Sequence, residues 1–255
     1  MPKDSKLPPV RTLKDYKEMS IRATGVSAKS RNIAALFLTE KAQNWKTFDD
    51  VLARVSDPAS RNKIAQDFQK QHAEWVKNHR KNTNDTRWAY LKELREMRDE
   101  SVRLVRLWES PQVVAMLENV GSEERSRNLE QVKGLGPASL ATLAMKAEME
   151  GNRALASALI TVNDNLPTDK RSFSSQALAA AVFRADVNEA REAHLQIDRA
   201  FELALAENRK CEGFGESMVT KLERTIKFKD VPDINIPNID DYTIDPADFG
   251  VGPAA

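Results

Sequence analysis

The side chains best suited to metal binding or nucleophilic catalysis are three histidines and one cysteine. His72 and His79 are seven residues apart, so they share a helix face two turns apart, whereas helical zinc pairs are four apart. His194 has no cysteine or second histidine near it in the sequence, and no histidine lies near Cys211. The sequence therefore predicts no metal site, no cofactor and no catalytic residue. An enzyme whose site is assembled from distant residues is the third functional alternative.

Two short windows, 132–143 and 211–222, share a glycine spacing that is suited to contact with a phosphate. Each reads apolar, any residue, Gly, apolar, Gly, and then a helical stretch with an apolar residue seven positions after the second glycine. Glycine allows a sharp turn that brings backbone amides close to an anion. The helix that follows directs its N-terminus at the same anion.

This spacing resembles the helix-hairpin-helix motif, an element that binds DNA without reading its sequence. The resemblance implies phosphate contacts from the backbone amides of Gly134 and Gly136, assisted by Lys133 and Lys146. A nucleic-acid-binding protein is therefore the alternative function. The structural alternative is a pair of glycine-mediated turns between helices, with Pro137 at the first position of the second helix.

The elements that must position these residues are helices, because Ala, Leu, Glu, Lys and Arg dominate the middle of the chain. Asp57 and Pro58 predict a helix start. The carboxylate of Asp57 can accept hydrogen bonds from the free amides of the first turn. Proline has no amide hydrogen, but at the first helical position that amide would have no partner within the helix, so no hydrogen bond is lost. Thr47 is predicted to cap another helix in the same way. Gly25 is expected to interrupt the first helical stretch.

A heptad-like seam of apolar side chains runs through residues 90–108, with alternating spacings of four and three. Charged residues fill the other faces, so we expect this helix to pack against a helix of its own chain or of a partner. The seam consists of Tyr90, Leu94, Met97, Ser101, Leu104 and Trp108. The four tryptophans lie in or beside basic helices, and we interpret them as core residues rather than as platforms for stacked bases.

Charge is divided unevenly along the chain, whose net charge is +1. Residues 1–35 carry eight basic and three acidic side chains, a net of +5, whereas residues 230–255 carry six aspartates and no Lys, Arg or Glu. Prolines keep both ends out of helices. Apolar residues recur between the aspartates of residues 230–255. A disordered linker has few such residues, so this pattern indicates a segment that docks. We predict that this acidic arm docks on a partner through Ile234, Ile236, Ile239, Tyr242, Ile244 and Phe249.

The single cysteine excludes an internal disulfide and fits a reducing compartment. No window reaches the roughly 18 consecutive apolar residues of a membrane span. The first ten residues are polar and rich in proline, unlike the apolar core of a signal peptide. We expect no membrane partner, and a protein that is cytoplasmic or incorporated into a particle assembled in the cytoplasm.

Together these patterns predict an all-α fold: a multi-helix bundle with extended N- and C-terminal arms. The basic arm covers residues 1–12, the helical body 13–229, with a division near 121 left open, and the acidic docking arm 230–255. The leading hypothesis is a non-enzymatic structural or assembly protein, such as a subunit of a tailed-phage virion, that docks on neighbours or on copies of itself. In the nucleic-acid alternative, the acidic arm is an intramolecular mimic of the ligand.

Overall fold

The structure, a computed structural model, describes residues 12–117 and 120–233. Within these residues every regular element is helical, which confirms the predicted all-α class. The α-helices are α1 (Leu13–Ala53), α2 (Pro58–Leu107), α3 (Pro111–Leu117), α4 (Glu123–Val132), α5 (Pro137–Glu150), α6 (Arg153–Asp164), α7 (Ser175–Cys211) and α8 (Met218–Lys227), with a 3-10 turn at Thr168–Lys170.

Side chains that accept from first-turn amides fix where the two longest helices begin. Before α1, the Thr12 hydroxyl accepts from the amide of Asp15 (3.3 Å), and the Asp15 carboxylate accepts from the amide of Thr12 (2.9 Å). This reciprocal pair satisfies two amides that the helix leaves unbonded. Before α2, the carboxylate of Asp57 accepts from the amide of Ser60 (2.8 Å), which confirms the helix start predicted at Pro58.

The predicted interruption at Gly25 and the predicted cap at Thr47 are both wrong, because α1 runs without a break for 41 residues. Gly25 is buried beside Ala23 and Val26. Burial of this face outweighs the roughly 1 kcal/mol by which glycine disfavours a helix interior. The hydroxyl of Thr47 donates to the carbonyl of Gln43 (3.0 Å), so it bonds within the helix instead of starting one.

The described residues form two compact units, each built from segments that are distant in sequence. The first unit comprises residues 12–17 and 100–194, and the second comprises residues 18–99 and 195–233. Helices α1, α2 and α7 each contribute residues to both units. Residue 121, where the sequence leaves a division open, lies inside the first unit, and that division stays a prediction.

Helix α6 is the centre of the first unit, where it packs against α3, α4 and α5. Ala156 and Ala158 are fully buried, and their small side chains let the neighbouring helices approach closely. Arg125 of α4 donates to the hydroxyls of Ser157 (2.8 Å) and Thr161 (3.0 Å) on α6. The unit therefore combines close apolar packing with a polar tie between two of its helices.

The core of the second unit is formed by α1, α2 and α7. Phe37 of α1, Leu94 of α2 and Ile197 of α7 are at most 1% exposed. Burial of the seam predicted for residues 90–108 is confirmed at Leu94 and Met97 in this unit and at Ser101, Leu104 and Trp108 in the first unit, whereas Tyr90 is half-buried.

Candidate docking and nucleic-acid surfaces

The 132–143 window forms a tight turn between two helices. Helix α4 ends at Val132 and α5 begins at Pro137, while the amide of Leu135 donates to the carbonyl of Val132 (3.2 Å). Gly134 has a φ of +88°, a conformation that residues with a Cβ rarely adopt, so this turn requires glycine there. A Cβ on Gly136 would meet no atom within 4 Å, so the space over the turn is open.

The turn brings together three of the four predicted phosphate-contacting residues. Lys133, Gly134 and Gly136 are exposed side by side. Lys133 forms no ion pair with any residue within the ranges 12–117 and 120–233. Lys146 lies nine residues beyond Pro137, which is about 14 Å along α5. It approaches Glu150 at 3.8 Å. Three of the four residues therefore lie together at the turn and Lys146 lies apart from them, and phosphate contact by any of the four stays a prediction.

The 211–222 window is a packed helix end. Arg80 donates through Nε to the carbonyl of Cys211 (2.7 Å), the last residue of α7. Gly213 has a φ of +86°, and a Cβ there would lie 2.8 Å from Nη2 of Arg80. The Glu212 carboxylate pairs with the guanidinium of Arg87. Burial raises the pKa of the Cys211 thiol, which favours its unreactive protonated form.

The apolar side chains predicted to dock, from Ile234 to Phe249, all lie outside the described residues. The structure describes the six residues that lead to them, 228–233. Phe228 is buried, and the amide of Val231 donates to its carbonyl (3.1 Å). The approach to the acidic arm is therefore fixed to the second unit.

An apolar groove of about 570 Å³ opens in the second unit between α2 and α7. Its lining is Asp85, Trp88, Ala89, Leu91, Lys92, Arg95, Phe201 and Leu205. Trp88 is 59% exposed, an unusual degree for the largest apolar side chain. Lys92 and Arg95 add two positive charges to the lining and Asp85 adds one negative charge. The groove thus offers an aromatic surface in a setting of net positive charge.

Helix α8 also exposes an apolar face. Its large apolar side chains, Met218, Val219, Leu222 and Ile226, are 59–81% exposed. Polar contacts hold the helix: the Ser217 hydroxyl accepts from the amide of Thr220 (3.1 Å), and Lys227 pairs with Asp198. No described residue covers this face.

The two helical histidines belong to an aromatic stack in the second unit. His72 lies between the rings of Phe68 and Trp75, with centroid distances of 5.4 and 5.6 Å. His79 lies 5.7 Å from Trp75 and 4.8 Å from the ring of Phe37. Both imidazoles therefore pack as aromatic members of the interface between α1 and α2.

Protonation of either imidazole is disfavoured. Burial lowers the pKa of His72, and the charge of Lys41 lowers it further. Burial also lowers the pKa of His79, with a further contribution from Arg87. Nδ1 of His72 and Nε2 of His79 are buried, and no described residue is hydrogen-bonded to either atom. Within the described chain, no three His, Cys, Asp or Glu side chains converge as a metal site would require.

Sequence reasoning missed both the groove and the apolar face of α8. The interpretation of the tryptophans as core residues holds for Trp108, which is 8% exposed, but not for Trp45 and Trp88, which are 40% and 59% exposed; Trp75 is half-buried. The sequence does contain a pattern that indicates the apolar face of α8, because four large apolar residues fall on one side of a ten-residue helix. The groove had no such signal, since its second wall comes from α7, more than 100 residues further along the chain.

No known protein family, curated protein or solved structure matches this chain. Across residues 12–117 and 120–233, no helix combines the length and the apolar character needed to cross a membrane. The protein is therefore defined by its class, an all-α protein with exposed apolar surfaces.

Proposed function

We propose that this is a non-enzymatic structural or assembly protein whose acidic arm, residues 230–255, binds the Trp88 groove of another copy through its distal residues, 242–255. The observation that carries the proposal is an exposed apolar groove of net positive charge on a chain that also contains an apolar, acidic segment. The setting that fits is a large particle assembled in the cytoplasm, such as a tailed-phage virion, in which many copies are neighbours.

Apolar complementarity is the first support for the proposal. The arm carries Tyr242 and Phe249 among its isoleucines, and aromatic side chains are common anchors in protein interfaces. The groove has a volume of about 570 Å³, within the range of pockets that hold compact ligands. Trp88 provides a broad surface against which such an anchor packs.

Charge complementarity is the second support. The distal residues of the arm, 242–255, contain Asp245 and Asp248 and no basic residue. Lys92 forms no ion pair among residues 12–117 and 120–233, and Arg95 approaches Asp99 at 3.9 Å with both side chains largely exposed. Opposite charges at an interface rim raise the association rate and fix the orientation of the partner.

Binding of this kind is heterologous, because the arm and the groove are different surfaces of the same chain. Heterologous contacts generate rings when the rotation closes and open filaments when it does not. Either outcome produces a repeating structure of the kind that large particles need. This arrangement requires neither a catalytic group nor a bound cofactor.

Multi-angle light scattering of the full chain, over a range of protein concentrations, tests the proposal. We expect a mass that rises with concentration, and Trp88→Ala to weaken association about 30-fold because losing an aromatic anchor costs about 2 kcal/mol. Met149→Ala is the matched control, since that side chain is 88% exposed in the first unit. A wild-type monomer at every concentration, or a Trp88→Ala mass equal to wild type, contradicts the proposal.

A second candidate function is nucleic-acid binding at the 133–136 turn, favoured by the exposed Lys133 beside two open glycines. The test is titration with a DNA duplex and a single strand at several salt concentrations. If Lys133 contacts a phosphate, Lys133→Glu lowers the salt dependence of binding by about one unit of slope. Lys170→Glu, an exposed substitution in the same unit, is the control. Absence of binding at low salt removes this candidate.

A further inference from the structure

A second cavity of the second unit lies where the described chain ends. It has a volume of about 300 Å³ and lies between α1 and α7. Ser27, Ala28 and Arg31 line it from α1, Arg199 lines it from α7, and Pro232 and Asp233 complete the wall. The next residues of the acidic arm therefore begin at the edge of this cavity.

The contacts made by the last described residues show what the cavity recognises. Arg199 donates through Nη1 to the carbonyl of Val231 (3.1 Å), and its Nη2 pairs with the carboxylate of Asp233 (2.8 Å). One arginine thus binds both the backbone and an acidic side chain of the arm. A guanidinium is well suited to this task because its donors lie in a fixed plane.

Two polar side chains at the cavity, Arg31 and Ser27, have no polar partner in the described part of the chain. Arg31 forms no ion pair or hydrogen bond with any residue of the ranges 12–117 and 120–233. Ser27 is only 3% exposed, and its Oγ has no hydrogen-bond partner within the same ranges. A buried hydroxyl without a partner is costly, so a polar group that reaches this site gains a hydrogen bond. Much of the remaining wall is apolar, including Ala28 and Pro232.

We infer that residues 234–241 of the acidic arm lie against this cavity of their own chain. Ile234 and Ile236 fill its apolar part, and Asp240 or Asp241 pairs with Arg31. These aspartates follow Asp233 by seven and eight residues. An extended chain covers up to about 3.5 Å per residue, so either carboxylate can reach Arg31.

The inference rests on the proposed function and deepens it. Residues 234–241, the root of the arm, are held on their own chain, and Tyr242, Ile244 and Phe249 remain available to reach another copy. An arm with a fixed root has fewer conformations to lose on binding than a free one. A fixed root therefore lowers the cost of ordering the rest of the arm on a neighbour.

Hydrogen exchange of the full-length protein, followed by mass spectrometry, tests the inference. We expect amides of residues 234–241 to exchange at least ten times more slowly than in a free chain, equally at low and high protein concentration. Arg31→Glu and Ala28→Phe should each return these amides to free-chain rates, the first by charge repulsion and the second by filling the cavity. Arg95→Glu, which changes the other groove, is the control and should leave the protection unchanged.

Two further variants keep the test independent of folding. Replacing both Asp240 and Asp241 by lysine leaves the helical body untouched and should remove the protection. Combining that change with Arg31→Glu should restore it, because the charges are then exchanged. Three results would overturn the inference. They are free-chain exchange rates in the wild type, protection that appears only at high protein concentration, and protection that persists in Arg31→Glu, in Ala28→Phe and in the variant with lysine at positions 240 and 241. Loss of self-association with the root still protected would instead contradict only the proposed function.

Discussion

Replacement of the buried Arg87 by alanine is expected to destabilise the second unit by about 3 kcal/mol. The side chain is 1% exposed and joins α2 to the end of α7. Its Nε donates to the hydroxyl of Thr83 (3.1 Å) and its Nη1 to Oδ1 of Asn208. Its Nη2 pairs with Glu212 and donates to the carbonyl of Arg80 (3.4 Å).

The size of this effect depends on the partners that remain after the arginine is removed. Breaking a buried ion pair by removing one member costs about 3–5 kcal/mol. The Glu212 side chain is 36% exposed, so water solvates its carboxylate after the change, and the ion-pair part of the cost falls to about 1 kcal/mol. Asn208 is 6% exposed, and an unpaired buried acceptor adds about 1–3 kcal/mol. The expected total is therefore about 2–4 kcal/mol, with a central value near 3 kcal/mol.

Urea unfolding followed by circular dichroism measures this loss, with Arg95→Ala as the matched control on the same helix. The Arg95 side chain is 75% exposed and lies 3.9 Å from Asp99, so its removal should cost less than about 0.5 kcal/mol. A loss below about 1 kcal/mol for Arg87→Ala, or equal losses for the two variants, would refute the reasoning.

Three further predictions concern features that the fold exposes or buries. Because the fold lowers the pKa of His72 and His79, the unfolded chain binds protons first, so the free energy of unfolding should decrease as pH falls below about 6.5. Urea midpoints between pH 7.5 and 5.5 measure this decrease. An equal dependence of the midpoint on pH in a variant with His72→Gln and His79→Gln would refute the prediction. Leu222→Ala should change stability by less than about 0.5 kcal/mol, because that side chain is 60% exposed; a thermal melt showing a loss above about 1 kcal/mol contradicts the exposed helix face. Gly134→Ala should cost about 1–2 kcal/mol in urea unfolding because of its positive φ. Gly136→Ala, at a φ of −72°, has no such strain and loses only the N-cap preference for glycine, so it should cost about 0.5 kcal/mol, and equal costs would contradict the turn.

The sequence predicts the helical class and several helix starts because those depend on local signals. Asp57 and Pro58 specify a helix start through groups within one turn. Gly25 misleads because a local cost of about 1 kcal/mol is smaller than the gain from burying the residues around it. Arg87 is missed for a related reason: an arginine among many charged residues is solvated unless distant partners surround it. Those partners, Asn208 and Glu212, lie more than 100 residues away in the sequence.

The candidate surfaces were predictable only in part. The glycine spacing predicts a turn at Gly134, and the positive φ of Gly134 agrees with that prediction. The groove depends on which helix α2 packs against, and no local pattern distinguishes Trp88 from the buried Trp108. Burial of a tryptophan is decided by the facing helix, so the choice between core and surface belongs to tertiary packing.

The most direct test of the central claim is a cross-link between the acidic arm and the groove. A photoreactive benzoylphenylalanine at position 249, placed in the full chain, would be irradiated in an equal mixture of isotopically light and heavy protein. The account predicts cross-links from position 249 to peptides that carry residues 85–95 or Phe201, and these should join light chains to heavy chains. Cross-links within single chains alone, or to surfaces away from the groove, would contradict assembly through the arm.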